Sequence, residues 1–184
     1  TRIGTAHLES FGSSENIQKG KFELIESLPS DGVGILNGDD EYQLNYKLKN
    51  KVKIIWIGID NKNVDVYADN IKLSSTGTTF DVHFKGDKKK YHFETKLLGK
   101  ANIYNILAGI ALGDYLKISK EDLIRGVKKV NSIEHRLELK KMGNINIIDD
   151  AYNSNPVGSK MALDVLNLCP GKKIIVTPGM IELG

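Results

Sequence analysis

"INIIDDAYNSNPVGSKMALDVLNLCPGKKIIVTP", residues Ile145 to Pro178, is the stretch on which the fold class turns. Ile145 to Asp150 is a short apolar, β-branched run that ends on two carboxylates, the pattern of a strand. Asn155 and Pro156 suit the cap and first-turn positions of a helix, which the pattern extends to Leu168. Lys172 to Pro178 reads as a second strand. Strand, helix and strand in that order predict a βαβ unit starting near residue 134, and hence an α/β protein with parallel pairing. One such unit cannot cover both faces of its sheet, so the sequence is expected to be a segment of a larger fold.

The segments upstream agree with this class. Ser14 to Leu28 has helical apolar spacing and stops at "LPSDG", while Gly32–Asn37 and Val52–Gly58 read as buried strands of a parallel or mixed sheet. Three alternating segments between Val64 and Leu98, separated by "STG" and "KGDKK", predict an antiparallel meander. Asn102 to Leu116 then places Ile103, Ile106, Leu107, Ile110 and Leu116 on one helical face, and Ser119 and Asp122 are spaced to cap a second helix. The natural division falls between residues 133 and 134.

Composition narrows the function classes. The 184 residues are 40% hydrophobic, enough for a core, and 26 basic against 23 acidic side chains leave +3, too dilute to predict a nucleic-acid or membrane surface. Only Arg2, Arg125 and Arg136 are arginines, so each is a candidate for holding a phosphate or carboxylate. The single cysteine, Cys169, rules out an internal disulfide or a multi-cysteine metal cage, and no apolar run approaches the roughly 20 residues of a membrane span. A cytoplasmic protein is expected.

Several positions invite chemistry. Asp149 and Asp150 end a strand at the carboxyl edge, where open α/β sheets bind ligands, and two adjacent carboxylates are costly there unless they bind something. Asn102 and Asn105, three apart at a helix start, point to one side and can offer amide donors and acceptors to a flat polar group, or cap the helix. Arg136 sits between the two regions, in reach of a ligand held between them. His7 and Glu9 lack the later cysteines that a zinc deaminase requires; His7 can still serve a hard cation or be a plain loop histidine. Lys88–Lys90 reads as a solvated turn, with His83 and His92 facing each other or solvent, and Cys169 as a small half-buried helix end.

Taken in order, "AHLESFGSSENIQKGKFE" (Ala6–Glu23), "GKANIYNILAGIAL" (Gly99–Leu112), "HRLE" (His135–Glu138), "IIDDAYNSNP" (Ile147–Pro156) and "MIELG" (Met180–Gly184) resemble the Mur ligases of bacterial peptidoglycan synthesis. The likeness runs along the whole chain. It implies the second half of a central P-loop-type ATPase domain over residues 1–133 and the start of a Rossmann-like C-terminal domain over residues 134–184. The family's G-T-N-G-K-[ST] phosphate loop is absent, since the Gly-Lys pairs at Gly20, Gly99 and Gly171 lack the following Ser or Thr. The resemblance further implies an ATP-dependent amide ligase using Mg2+, with "DDAYNSNP" indicating D-alanyl-D-alanine and a UDP-muramoyl tripeptide as substrates, acting as a monomer.

Carried over by the same resemblance, His7 is a magnesium ligand and Lys21 a lysine that becomes carbamylated and helps hold the metal. Asn102 and Asn105 face adenine, Arg136 reaches ATP from the linker, and Asp150 meets the ribose. The sequence departs from the family at Ala101, usually histidine, and at Gly179, usually aspartate. The alternatives are a folylpolyglutamate synthase, a Mur-like ligase joined to an amidotransferase partner, and a non-catalytic nucleotide-binding scaffold.

Overall fold

Helix formation begins where Ser13 accepts a hydrogen bond from the Asn16 N–H at 3.2 Å, capping α2 (Ser14–Glu26) just after a short α1 (Leu8–Phe11). These elements belong to a computed structural model that describes residues 3–4, 8–153, 155–177 and 179. α2 buries Ile17 and Phe22, and Phe22 stacks on Tyr46 with ring centroids 3.8 Å apart. Its far end is held by Asn50, whose amide donates to the carbonyls of Ile25 and Glu26 at 3.0 Å each.

β1 (Val33–Asn37) and β2 (Lys53–Gly58) run parallel, in register from Val33 opposite Lys53 to Asn37 opposite Ile57, with α3 (Glu41–Leu44) between them in sequence. β2 then pairs in parallel with β3 (Val66–Ser74) only at Ile57–Val66 and Gly58–Tyr67. β3, β4 (Gly77–Phe84) and β5 (Lys90–Thr95) form the expected antiparallel meander, so one five-stranded sheet has the order β1-β2-β3-β4-β5.

Alternation along the strands decides what each face meets. Ala68, Phe80, Val82 and Phe93, all fully buried, turn toward α4 (Lys100–Tyr115), which presents Ile103, Leu107 and Ile110; α5 (Lys120–Lys129) adds Leu123 and Val127. On the other face of β1 and β2, Leu36, Ile54 and Trp56 pack with Ile17 and Phe22 of α2. The parallel part is therefore covered on both sides.

The other face of the meander is polar. His83 bonds Asp69 at 3.0 Å and His92 bonds Asp81 at 2.9 Å; of the two expected alternatives the histidines do not face each other, while His92 is exposed to solvent. The register explains it: Asp81 is opposite His92 and Lys90 opposite His83, which makes the histidines diagonal neighbours, each nearer a carboxylate. Lys88 and Lys89 are exposed as expected, whereas Lys90 reaches Asp81 at 2.9 Å.

The C-terminal region corrects the sequence reading. β6 (Glu138–Met142), a stretch in which the sequence pattern marks no element, pairs antiparallel with β7 (Ile145–Asp149) through a turn at Gly143 with φ +58°. α6 (Pro156–Leu168) follows as expected, with the Asn155 side chain accepting from Gly158 N–H at 2.9 Å. Residues 172–177 carry no strand, and Ile174, Ile175 and Val176 are strongly exposed. β-branched residues favour a strand only where a neighbour supplies the ladder, and among the described residues none lies alongside. Cys169 is buried at the end of α6, its thiol near the Val165 carbonyl. Leu98, Leu137 and Val165 form a small core that joins the start of α4 to the hairpin and to α6.

Candidate nucleotide-binding site

The carboxyl ends of β1 and β2 open into the loops 37–40 and 58–61. Asp39, just beyond β1, accepts hydrogen bonds from the N–H groups of Ile59 (2.6 Å), Asp60 (3.1 Å) and Asn61 (2.6 Å) and from the Tyr104 hydroxyl (2.8 Å). Burial by itself raises the pKa of this carboxyl, but the backbone donors and Tyr104 outweigh it and hold the group below the usual carboxylate range. Gly58 is required here, because a Cβ would lie 2.7 Å from the Asn61 carbonyl oxygen. Asp40 accepts from Tyr42 N–H and from the Gln43 amide, capping α3.

α4 starts at this edge. Asn102 and Asn105 do share one side, with the Asn105 amide donating to Asn102 Oδ1 at 3.3 Å and the Asn102 amide to the Leu98 carbonyl at 2.9 Å. Asn102 is half-buried and Asn105 exposed, so part of the donor and acceptor capacity of the pair remains open to a ligand. Gly99, the cap residue, makes no side-chain cap bond.

The hairpin brings the two remaining C-terminal motifs together. His135 and Leu137 both adopt left-handed backbone (φ +61° and +49°) around Arg136, whose guanidinium lies 3.9 Å from the Tyr152 ring centroid. Tyr152 N–H donates to the His135 carbonyl at 3.2 Å, and Leu137 N–H donates to Asp150 Oδ1 at 3.0 Å. Such strain in non-glycine residues is sustained only where surrounding bonds over-determine it, and these two bonds do so.

The adjacent aspartates differ. Asp149 accepts from Lys140 at 2.6 Å and His135 at 2.8 Å, which bring its pKa down to about 2. Its charge is thus already met by the protein, contrary to the expectation that both carboxylates await a ligand. Asp150 has its pKa raised by burial, against the opposing pull of Leu137 N–H and Arg136. The carboxylate with capacity to spare is therefore Asp150, in the same short segment pair as Arg136.

Lys21 is exposed on α2, which covers the opposite face of β1 and β2 from α4; the structure does not bring it against Asn102 and Asn105. His7 and Met180–Gly184 lie outside the described residues. Gly179, at the other departure from the family pattern, has φ +97°. Among the described residues no three His, Cys, Asp or Glu side chains cluster as a metal site, and no helix is long and apolar enough to cross a membrane. The residues missed from sequence were Asp39, Tyr104 and Tyr152. Only the "GDD" following a strand hinted at the first, and nothing local hinted at its bond to Tyr104.

Amides at the start of α4, Arg136 stacked on Tyr152 and an underused Asp150 thus stand as candidate polar contacts for a ligand, in an α/β fold. The Mur ligase middle domain family matches residues 1–113, and the chain belongs to that family. It is 35% identical over 188 residues to the UDP-N-acetylmuramoyl-tripeptide--D-alanyl-D-alanine ligase of Bacillus subtilis, covering all of this chain and 39% of that protein. The Escherichia coli enzyme of the same name is 31% identical over 99% of this chain and 40% of its own length. Among solved structures, MurF from Acinetobacter baumannii superposes with a TM-score of 0.87 at 27% identity, covering the whole chain and 40% of that one. MurF from Thermotoga maritima in complex with ADP shares the fold, with a TM-score of 0.84 at 21% identity. The chain spans about two fifths of the length of these relatives.

Proposed function

We propose that this chain supplies part of the nucleotide site of an ATP-dependent ligase that joins D-alanyl-D-alanine to a UDP-muramoyl tripeptide in peptidoglycan precursor synthesis. The observation that carries the proposal is that the Leu137 N–H bond to Asp150 holds Arg136 and Asp150 in one segment pair, which the Leu98–Leu137–Val165 core joins to the α4 start, in a chain similar along its whole length to ligases of that name. In this reading residues 1–133 belong to the central ATP-binding domain and residues 134–184 open the C-terminal domain, in a monomeric cytoplasmic enzyme.

The tripeptide carboxylate attacks the γ-phosphorus of ATP and ADP leaves, giving an acyl phosphate; the dipeptide amine then attacks its carbonyl carbon, loses a proton, and phosphate leaves as the amide forms. Asn102 and Asn105 would orient adenine through their amides, Asp150 would accept from a ribose hydroxyl through its less engaged oxygen, and Arg136 would carry positive charge to the phosphates. Mg2+ neutralises phosphate charge when bound; Lys21 as a carbamate, together with His7, would hold it. Because no phosphate loop occurs in the sequence, the 184 residues alone are expected to show no dipeptide-dependent phosphate release.

The test is Asp150→Ala in the complete protein. Loss of a charge-assisted bond is expected to raise the KM for ATP by the equivalent of about 1 to 3 kcal/mol, with the KM for the dipeptide unchanged. An unchanged ATP dependence would place the nucleotide elsewhere.

A further inference from the structure

Tyr104 lies between the two asparagines in sequence but points another way. At about 100° per residue it is roughly 200° around α4 from Asn102 and roughly 100° from Asn105. Lys100, one turn earlier, lies on the same flank as Tyr104 and pairs with Asp60 at 3.1 Å. This flank faces the loops after β1 and β2, leaving the asparagine side of the helix open.

The two anchors differ in weight. Lys100 is partly and Asp60 largely exposed, and such pairs contribute little. The Tyr104 hydroxyl instead reaches Asp39 across 65 positions, a part-buried carboxylate that also grips three consecutive N–H groups of residues 59–61. Asn61 closes the loop by donating to the Gly38 carbonyl at 3.0 Å. One carboxylate thereby joins the ends of two parallel strands to the first turns of α4.

We infer that Asp39 and Tyr104 are positioning residues of the nucleotide site: their bond sets the rotation of α4 that presents Asn102 and Asn105. This rests on the reading that those asparagines face adenine. Neither residue touches the nucleotide in this scheme. Their effect passes through the helix, so a loss is felt in nucleotide affinity and not in the chemical step.

The experiment uses the complete protein with Tyr104→Phe, Asp39→Asn and Asn102→Ala, plus Tyr91→Phe as a control. Tyr91 donates to Asp87 at 2.9 Å, a phenol–carboxylate bond like the one removed, but on the solvent-facing turn of the meander. For Tyr104→Phe the KM for ATP and the Kd for ADP are expected to rise about tenfold, the worth of a hydrogen bond to a charged group, with kcat within about twofold. Asp39→Asn is expected to move them the same way, and Tyr91→Phe not at all. If Asn102→Ala weakens ADP binding while Tyr104→Phe binds like wild type, the positioning role is overturned and the nucleotide reading stands. If Asn102→Ala has no effect, the adenine assignment fails and the inference with it. A Tyr104→Phe protein that loses kcat without a change in ADP affinity also overturns it.

Discussion

Replacing Gly99 by alanine tests the joint between the central sheet and the C-terminal hairpin. Gly99 has φ +79° and ψ 156°, a conformation almost confined to glycine, and a residue with a Cβ held there costs about 1 to 3 kcal/mol. The added carbon would lie 2.9 Å from Leu137 Cδ2 and 3.3 Å from Val165 Cγ2, inside ordinary contact, and overpacking of this kind costs another 1 to 3 kcal/mol or so. The expected loss is therefore about 2 to 6 kcal/mol unless the small Leu98–Leu137–Val165 core opens to relieve it. Urea denaturation of the 184-residue chain, followed by circular dichroism, measures the change. Leu137→Ala separates the two causes, since it removes the nearer of the two carbons that the new Cβ meets. Gly99→Ala in that background should lose the backbone part and only the smaller packing share due to Val165. A loss below about 0.5 kcal/mol in the wild-type background, the size of an ordinary surface change, would refute both the backbone assignment and the packing of the hairpin against α4.

Other outcomes follow, the first from the family resemblance and the rest from the structure. In the complete protein Lys21→Ala should cripple turnover with partial rescue by acetate, and Lys21→Arg should be equally inactive, because a guanidinium cannot take the place of a carbamate; near-wild-type rates for Lys21→Arg would end the carbamate proposal. Asp81 accepts from Asn70, Lys90 and His92, which hold its carboxyl below the usual range; Asp69 and His83 share that sheet face. A depressed carboxyl pKa gives stability that is present above the unfolded value near 4 and lost as pH falls toward the folded one. Denaturation midpoints of wild type and Asp81→Asn should therefore differ at pH 7 and converge at lower pH; a constant gap would remove Asp81 as the cause. Ser13→Ala should cost about 1 kcal/mol through loss of the α2 cap, read as an earlier urea midpoint with an unchanged slope.

What the sequence by itself determined was local. Ser13, Ser119 and Asn155 cap the helices that follow them because a cap needs only a neighbour three residues away, and apolar spacing along Ile103–Ile110 marks the buried face of α4. Motifs that resemble the Mur ligases pointed to Asn102, Asn105, Arg136 and Asp150, and the side-by-side placement of the asparagines follows from helix period alone. Strand partners are another matter. Val66 and Tyr67 pair with β2 as well as β4, joining parallel strands and meander in one sheet, and β7 pairs with β6 where a parallel partner was expected in residues 172–178. Pairing is chosen by the hydrogen-bonding needs of whole strands and not by any single segment, so a charged run such as "ELKKM" becomes a strand when a turn folds it against a neighbour. The same holds for the site: Asp149 is satisfied by Lys140 and His135 while Asp150 is not, and Asp39 meets Tyr104, because only folding brings residues so distant in sequence within 3 Å and only burial decides which carboxylate keeps capacity for a ligand.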